Sequence, residues 1–219
     1  MALRWLRWLA LAVVWAPLPV AAQPGVVLVH DWFGVTPFYT EAASRLQRQG
    51  YRVVAVDLYG GRAATTHDQA AALMQGVDAQ AAARQIDAAI RSLGDVPRRI
   101  ALVGFSMGAK HALSAATRHK AVAATVLWYG ETSRDAAMLR RLSGPVLFVG
   151  GSKDGPAADH AAAFSRAMDE AGAGAEVYLY PGAAHAFAQP LFDAGKGFDP
   201  AAAQAAWVLT EDFLRRRIK

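Results

Sequence analysis

The chain has 219 residues, 54% of them apolar and 19% charged, with 23 basic against 18 acidic side chains and no cysteine. That much apolar sequence supports one sizeable core and excludes disorder, collagen and coiled coil. The missing cysteine excludes disulfides, thiolate metal sites and a cysteine nucleophile, and the net charge of +5 would indicate nucleic acid or an anionic membrane only if it were clustered.

Residues 1–22 come first. Arg4 and Arg7 precede an apolar run from Trp8 to Ala16, and Pro17 to Ala22 ends with small residues at Val20 and Ala22. A basic start, an apolar stretch and small residues at −3 and −1 make a secretory signal peptide, with cleavage expected after Ala22. The competing reading, an uncleaved anchor, is opposed by Pro17 and Pro19, which interrupt a run already shorter than the ~20 residues a spanning helix needs. A secreted or periplasmic protein with no stable membrane anchor after cleavage is therefore expected. Without Arg4 and Arg7 the balance is 21 basic against 18 acidic, an ordinary value.

From residue 23 to 219 one alternation recurs. Gly25–Val29 is a short, continuously apolar run, as expected of a parallel strand covered on both faces. A loop from His30 to Pro37 leads to a helix near Tyr39 to Gln49, ended by Gly50. Further strands are expected at Arg52–Val56, Ile100–Val103, Ala123–Trp128, Val146–Val149 and Glu176–Tyr180. Helical stretches lie between them near Ala70–Leu93, Met107–Arg118 and Ala157–Ala171, with a last helix from Pro200 to Arg217. Strand-helix alternation with short connections predicts a single α/β domain, a doubly wound, mostly parallel sheet of about six strands with helices on both faces.

Such sheets carry their chemistry in loops at the carboxyl ends of the strands. Gly104-Phe105-Ser106-Met107-Gly108 follows the Ile100–Val103 strand directly and opens a helix, so this G-x-S-x-G has the context of a nucleophile elbow. Glycines flank the serine because the tight turn leaves no room for a Cβ. Serine needs an adjacent base oriented by an acid. Asp154 in Gly150-Gly151-Ser152-Lys153-Asp154 and His185 in Gly182-Ala183-Ala184-His185 follow two later strands, in the order Ser, acid, His. Asp159 is the competing acid, one helical turn further on. His67, His111, His119 and His160 read as solvated or packed side chains, and Asp57 as a cap or brace of its loop. A tetrahedral oxyanion needs two N–H donors. Met107, after the nucleophile, supplies one, and the loop His30-Asp31-Trp32-Phe33-Gly34 the other, with Trp32 preferred and Phe33 second.

No His-Glu-x-x-His or carboxylate cluster points to a metal, and the Gly60-Gly61 and Gly150-Gly151 pairs lack nucleotide-loop spacing, so no cofactor is expected. The basic clusters at Arg98-Arg99, Arg140-Arg141 and Arg215–Arg217 are not interleaved with aromatics and read as solvated surface rather than a nucleic-acid site.

Together, Val29-His-Asp31-Trp-Phe-Gly34, Val56-Asp-Leu-Tyr59, Gly104-Phe-Ser106-Met-Gly108, Gly151-Ser-Lys-Asp154 and Gly182-Ala-Ala-His185-Ala-Phe-Ala188 resemble the dienelactone hydrolase family of α/β-hydrolases over essentially the whole of residues 23–219. The resemblance implies a triad of Ser106, Asp154 and His185, and an acidic residue near the nucleophile at Asp31. Three features depart from the family: the nucleophile is serine instead of cysteine, Gln189 stands where the family has an arginine for the substrate carboxylate, and the usual N-terminal pair of strands is missing. Asp31 can accordingly be a loop brace or a regulator of the nucleophile. The expected activity is hydrolysis of a small carboxylic ester or lactone through an acyl-enzyme on Ser106. The expected pocket is open, lined by Trp32, Asp31, Phe33, Tyr59 and Phe187, with Trp128 a further candidate, and the longest insert available for a lid is Gly130–Gly144. A peptidase or acyltransferase on the same triad, and a non-catalytic binding protein of the same fold, are the alternatives.

Overall fold

The computed structural model describes residues 23–94, 99–191 and 195–218; the proposed export segment, residues 1–22, lies outside them. Six strands form one all-parallel sheet: β1 (Gly25–Val29), β2 (Arg52–Val56), β3 (Ile100–Phe105), β4 (Val122–Trp128), β5 (Val146–Gly151) and β6 (Ala175–Tyr180), in the order β2-β1-β3-β4-β5-β6. The four inner strands are buried at every residue, whereas β2 and β6 at the two edges are only partly covered. Continuous apolar runs without polar alternation are what two covered faces require.

Successive side chains point to opposite faces, so each inner strand feeds two cores. Val26, Leu28, Val103, Phe105, Val126 and Trp128 pack under helices α1 (Pro37–Gln47) and α7 (Pro200–Arg217). Val27, Val29, Leu102, Leu127 and Phe148 pack under α3 (Ala79–Ser92), α4 (Met107–Ala116) and α6 (Gly155–Ala171).

The expected helix over Ala70–Leu93 is in fact two, α2 (His67–Gln75) and α3, and a short α5 (Ala136–Leu139) occupies part of the Gly130–Gly144 insert. Gly76 ends α2, and Asp78 caps α3 through Oδ1, which accepts the Ala81 N–H at 2.6 Å. A glycine followed two residues later by a capping aspartate stops one helix and starts the next. Thr66 caps α2 in the same way, accepting from the Gln69 N–H.

The chain passes from β1 outward to β2, then returns across β1 to β3 and continues outward in the other direction. Between β1 and β3 the strand order reverses, and the loops at their carboxyl ends diverge to opposite faces, leaving a crevice. The register Val29↔Gly104 puts the His30–Gly34 loop beside the Ser106 turn.

Candidate active site

Ser106 lies between the last residue of β3 and the first of α4, with φ 50° and ψ −115°. A non-glycine residue in such a conformation holds roughly 1–3 kcal/mol of backbone strain. The surroundings enforce it. The Ser106 N–H donates to the Trp128 carbonyl at 2.8 Å, and the helix packs so close that a Cβ on Gly108 would lie 2.3 Å from the Val29 carbonyl oxygen. A Cβ on Gly104 would fall 2.4 Å from the Gly108 oxygen. Both glycines of the motif are therefore required by backbone contact, and the turn pushes the Ser106 side chain out at the start of α4.

The acid and histidine loops are locked to each other at the carboxyl ends of β5 and β6. The Lys153 N–H donates to the Ala183 carbonyl at 2.9 Å, the Gly182 N–H donates to Ser152 Oγ at 2.9 Å, and Gly151 leaves space for the Ala183 carbonyl. This brings His185 between the two other groups. His185 Nε2 lies 3.0 Å from Ser106 Oγ, and His185 Nδ1 lies 2.6 Å from Asp154 Oδ2. Asp154 is buried, while Asp159 is exposed on α6. With Nδ1–H donating to the carboxylate, Nε2 faces Ser106 Oγ as the acceptor of the serine proton.

The His30–Gly34 loop is held by side chains that fix its peptide planes. His30 is buried, which lowers its pKa, and its Nε2 accepts the Leu58 N–H at 3.0 Å, so Nδ1 carries the proton and donates to the Asp31 carbonyl. In a trans peptide the N–H points opposite to the C=O. The Trp32 N–H is therefore directed away from the His30 ring. The Phe33 N–H donates to Asp31 Oδ1 at 2.8 Å, and the Trp32 carbonyl accepts from the Tyr59 hydroxyl at 3.0 Å. Phe33, the second oxyanion donor considered, thus has its N–H engaged. Asp57 braces the neighbouring loop, its carboxylate accepting from the Tyr59 and Gly61 N–H groups.

A cavity of about 720 Å³ opens over Ser106 and His185. Trp32, Met107, Met74, Val77 and Ala79 supply apolar surface; Lys110, Glu131, His111 and His160 supply polar groups, with Lys110 Nζ 2.9 Å from Glu131. Burial and the neighbouring Lys110 ammonium lower the His111 pKa. The pocket expected from the sequence needs correction. Phe33, Tyr59, Phe187 and Trp128 are core residues that do not line the cavity, and Asp31 is only 2% exposed beneath its loop. Phe187 stacks on Trp128, and Phe33 packs with Ala64 and Ala70. Aromatics at strand ends look alike in sequence whether they turn toward the crevice or the core. His111 and His160, read as solvated or packed, border the cavity.

Tyr129, which no sequence motif marks, also borders the cavity. It follows β4 with φ 38°, its ring lies 5.5 Å from that of His185, and its buried hydroxyl has no hydrogen-bond partner. Its position before Gly130, at a carboxyl end like the other four loops, was the available signal. Burial and the Asp31 charge hold its pKa well above the usual range. Among the described residues no cluster of His, Asp and Glu could hold a metal ion.

The chain is similar to known proteins along most of its length. A model of the dienelactone hydrolase family matches residues 12–218. A carboxymethylenebutenolidase of Pseudomonas putida is 30% identical over 220 residues, covering 93% of this chain and 89% of the relative. A Bradyrhizobium protein named a probable 2-oxo-3-(5-oxofuran-2-ylidene)propanoate lactonase is 26% identical, covering 94% and 88%. The crystal structure of a dienelactone hydrolase-like promiscuous phosphotriesterase from metagenomic libraries superposes with a TM-score of 0.79 at 23% identity, covering 90% of this chain and 87% of the other. The chain belongs to the dienelactone hydrolase family, and is a carboxylic-ester or lactone hydrolase of α/β-hydrolase fold.

Proposed function

We propose that this hydrolase is a serine enzyme that cleaves a small carboxylic ester or lactone through an acyl-enzyme on Ser106. The observation that carries this is the continuous hydrogen-bonded line from Ser106 Oγ through His185 to Asp154, with distances of 3.0 and 2.6 Å. In the first half-reaction His185 Nε2 takes the Ser106 proton as Oγ attacks the acyl carbon. The carbonyl oxygen becomes an oxyanion facing the N–H groups of Met107 and Trp32. Collapse breaks the ester C–O bond, and the imidazolium returns its proton to the leaving alkoxide. Water, deprotonated by the same Nε2, then releases the acid and restores Ser106. Asp154 keeps the imidazole in the required tautomer throughout. The strained turn sets Ser106 at the N-terminus of α4, whose dipole and N–H groups favour negative charge at this point. In a lactone the leaving alkoxide stays tethered, and an open cavity of about 720 Å³ suits such a compact substrate.

The test is labelling with a fluorophosphonate alongside the burst of p-nitrophenol from p-nitrophenyl acetate. Wild type is expected to label once per chain and to show the burst, and Ser106→Ala to lose both. Equal labelling of the two proteins would overturn the assignment of Ser106. A wild type that labels but turns over amides, or transfers the acyl group to an added alcohol in preference to water, would point to a peptidase or acyltransferase instead.

We also propose that the protein acts outside the cytoplasm, on the strength of Arg4, Arg7, the Trp8–Ala16 run and Val20-Ala21-Ala22.

A further inference from the structure

Asp31 and Gln189 are the most deeply buried polar pair near the site, 2% and 0% exposed, and the proposed mechanism uses neither. They lie 158 positions apart in sequence, yet Gln189 Nε2 donates to Asp31 Oδ2 at 3.1 Å. Each is fastened at its other end. Asp31 Oδ1 accepts the Phe33 N–H, and the Asp31 N–H donates to the Tyr39 hydroxyl at 2.8 Å. Gln189 donates its own N–H to the Ala186 carbonyl at 2.8 Å, and its Oε1 accepts the Leu191 N–H. Ala186 directly follows His185 and has a left-handed backbone, φ 54°. One side of the pair is thus the loop carrying Trp32, and the other is the loop carrying the histidine.

We infer that Asp31 and Gln189 form a buried strut that sets the oxyanion loop against the histidine loop, with Asp31 acting as a positioning residue through its hydrogen bonds rather than as a charge on the nucleophile. The loop needs such a strut because it abuts the elbow: the His30 carbonyl oxygen lies 2.5 Å from where a Cβ on Gly108 would stand. A small shift of the loop therefore moves Trp32 relative to Ser106. Both oxygens of Asp31 are engaged away from the cavity, and the groups facing it are Gln189, the Phe33 N–H, Tyr39 and His30, with the Tyr129 and Tyr59 hydroxyls also within its electrostatic reach. No full positive charge is among them. Burial raises the Asp31 pKa, opposed by the bonds from Gln189 and Phe33.

This inference rests on the proposed serine mechanism, and the experiment separates the two. The probe is p-nitrophenyl acetate, with kcat referred to the active sites titrated by a fluorophosphonate so that misfolded protein does not count. Gln189→Leu is expected to lower kcat by about 10–100-fold with KM within about threefold, because a donor aimed at the oxyanion acts in the transition state and not on bound substrate. Asp31→Ala is expected to lose a similar amount, and Asp31→Asn to recover at least about tenfold of that loss, since its amide can still accept from Phe33 and donate to a turned Gln189. Gln189→Glu places two carboxyl groups in contact that must share a proton. Its kcat relative to wild type at the same pH is expected to fall as pH rises and the shared proton is lost. Wild-type kcat in Gln189→Leu, or an Asp31→Asn enzyme as slow as Asp31→Ala, would overturn the strut. A pH profile of Gln189→Glu that follows wild type would do the same. Fluorophosphonate labelling that is equal in wild type and Ser106→Ala would overturn the serine mechanism and the strut with it.

Discussion

At Gly108 a single methyl group has nowhere to go. A Cβ there would meet two backbone carbonyl oxygens, those of Val29 and His30, at 2.3 and 2.5 Å, and neither can rotate away. Gly108→Ala is expected to destabilise the protein by about 1–3 kcal/mol, the usual scale of overpacking, and to lower kcat by displacing the oxyanion loop. Gly155 offers the contrast, since nothing lies within 4 Å of its Cβ direction and it opens helix α6. Gly155→Ala is expected to stay within about 0.5 kcal/mol of wild type, as compatible glycine replacements do. Urea midpoints for the two variants, with kcat on p-nitrophenyl acetate, check both. The G-x-S-x-G spacing is readable in the sequence because the sharp strand-to-helix turn is a local motif, in which Gly104 meets the backbone of Gly108 and Ala109; that Gly108 faces the carbonyls of Val29 and His30 is a contact between distant segments. Which aromatic side chains line the cavity was not readable, because Phe33, Tyr59 and Phe187 are directed by contacts with Ala64, Trp32 and Trp128 from distant parts of the chain.

The elements were legible to the extent that their signals are periodic. Inner strands appeared as unbroken apolar runs, and α7 was expected from Pro200 to Arg217, where it is found. The break between α2 and α3 was hidden by alanine richness, which suits helix on both sides of Gly76. That break matters, because Met74, Val77 and Ala79 form part of the cavity wall there. At the other end of the molecule, the three arginines closing α7 have partners. Arg216 and Arg217 donate to Glu176 on the edge strand β6, at 2.9 to 3.2 Å. The hydrogen bond from Arg216 lowers the Glu176 pKa, against a smaller opposing effect of burial and with help from Arg217. A depressed carboxylate stabilises the fold above its ordinary pKa and loses that contribution as pH falls through the lowered folded value. Glu176→Gln is therefore expected to cost about 0.5–1 kcal/mol at pH 7, the scale of exposed ion pairs. The gap from wild type should close progressively below about pH 5 and shrink in high salt. Thermal melts across pH, with and without salt, measure it.

For the whole molecule, export and the crevice are the two consequences of chain order. If residues 1–22 are an export signal, expression in a bacterial host with a periplasm should yield a periplasmic protein whose N-terminal sequence begins at Gln23. Retention of Arg4 and Arg7 in the exported protein would overturn that proposal. The crevice follows from the strand order β2-β1-β3-β4-β5-β6, which reverses between β1 and β3 and so sets the Trp32 loop beside Ser106. Fold class, the elbow and the order serine, acid, histidine are legible from residue order alone, because each is written in short-range spacing and in the apolar runs that any covered parallel strand must have. Folding settles the rest: Asp154 and not Asp159 meets His185, Phe33 gives its N–H to Asp31, and Tyr129 and the α2–α3 break border the cavity. Those outcomes depend on packing between segments tens to more than a hundred residues apart, where direction is set by neighbours that no local pattern records.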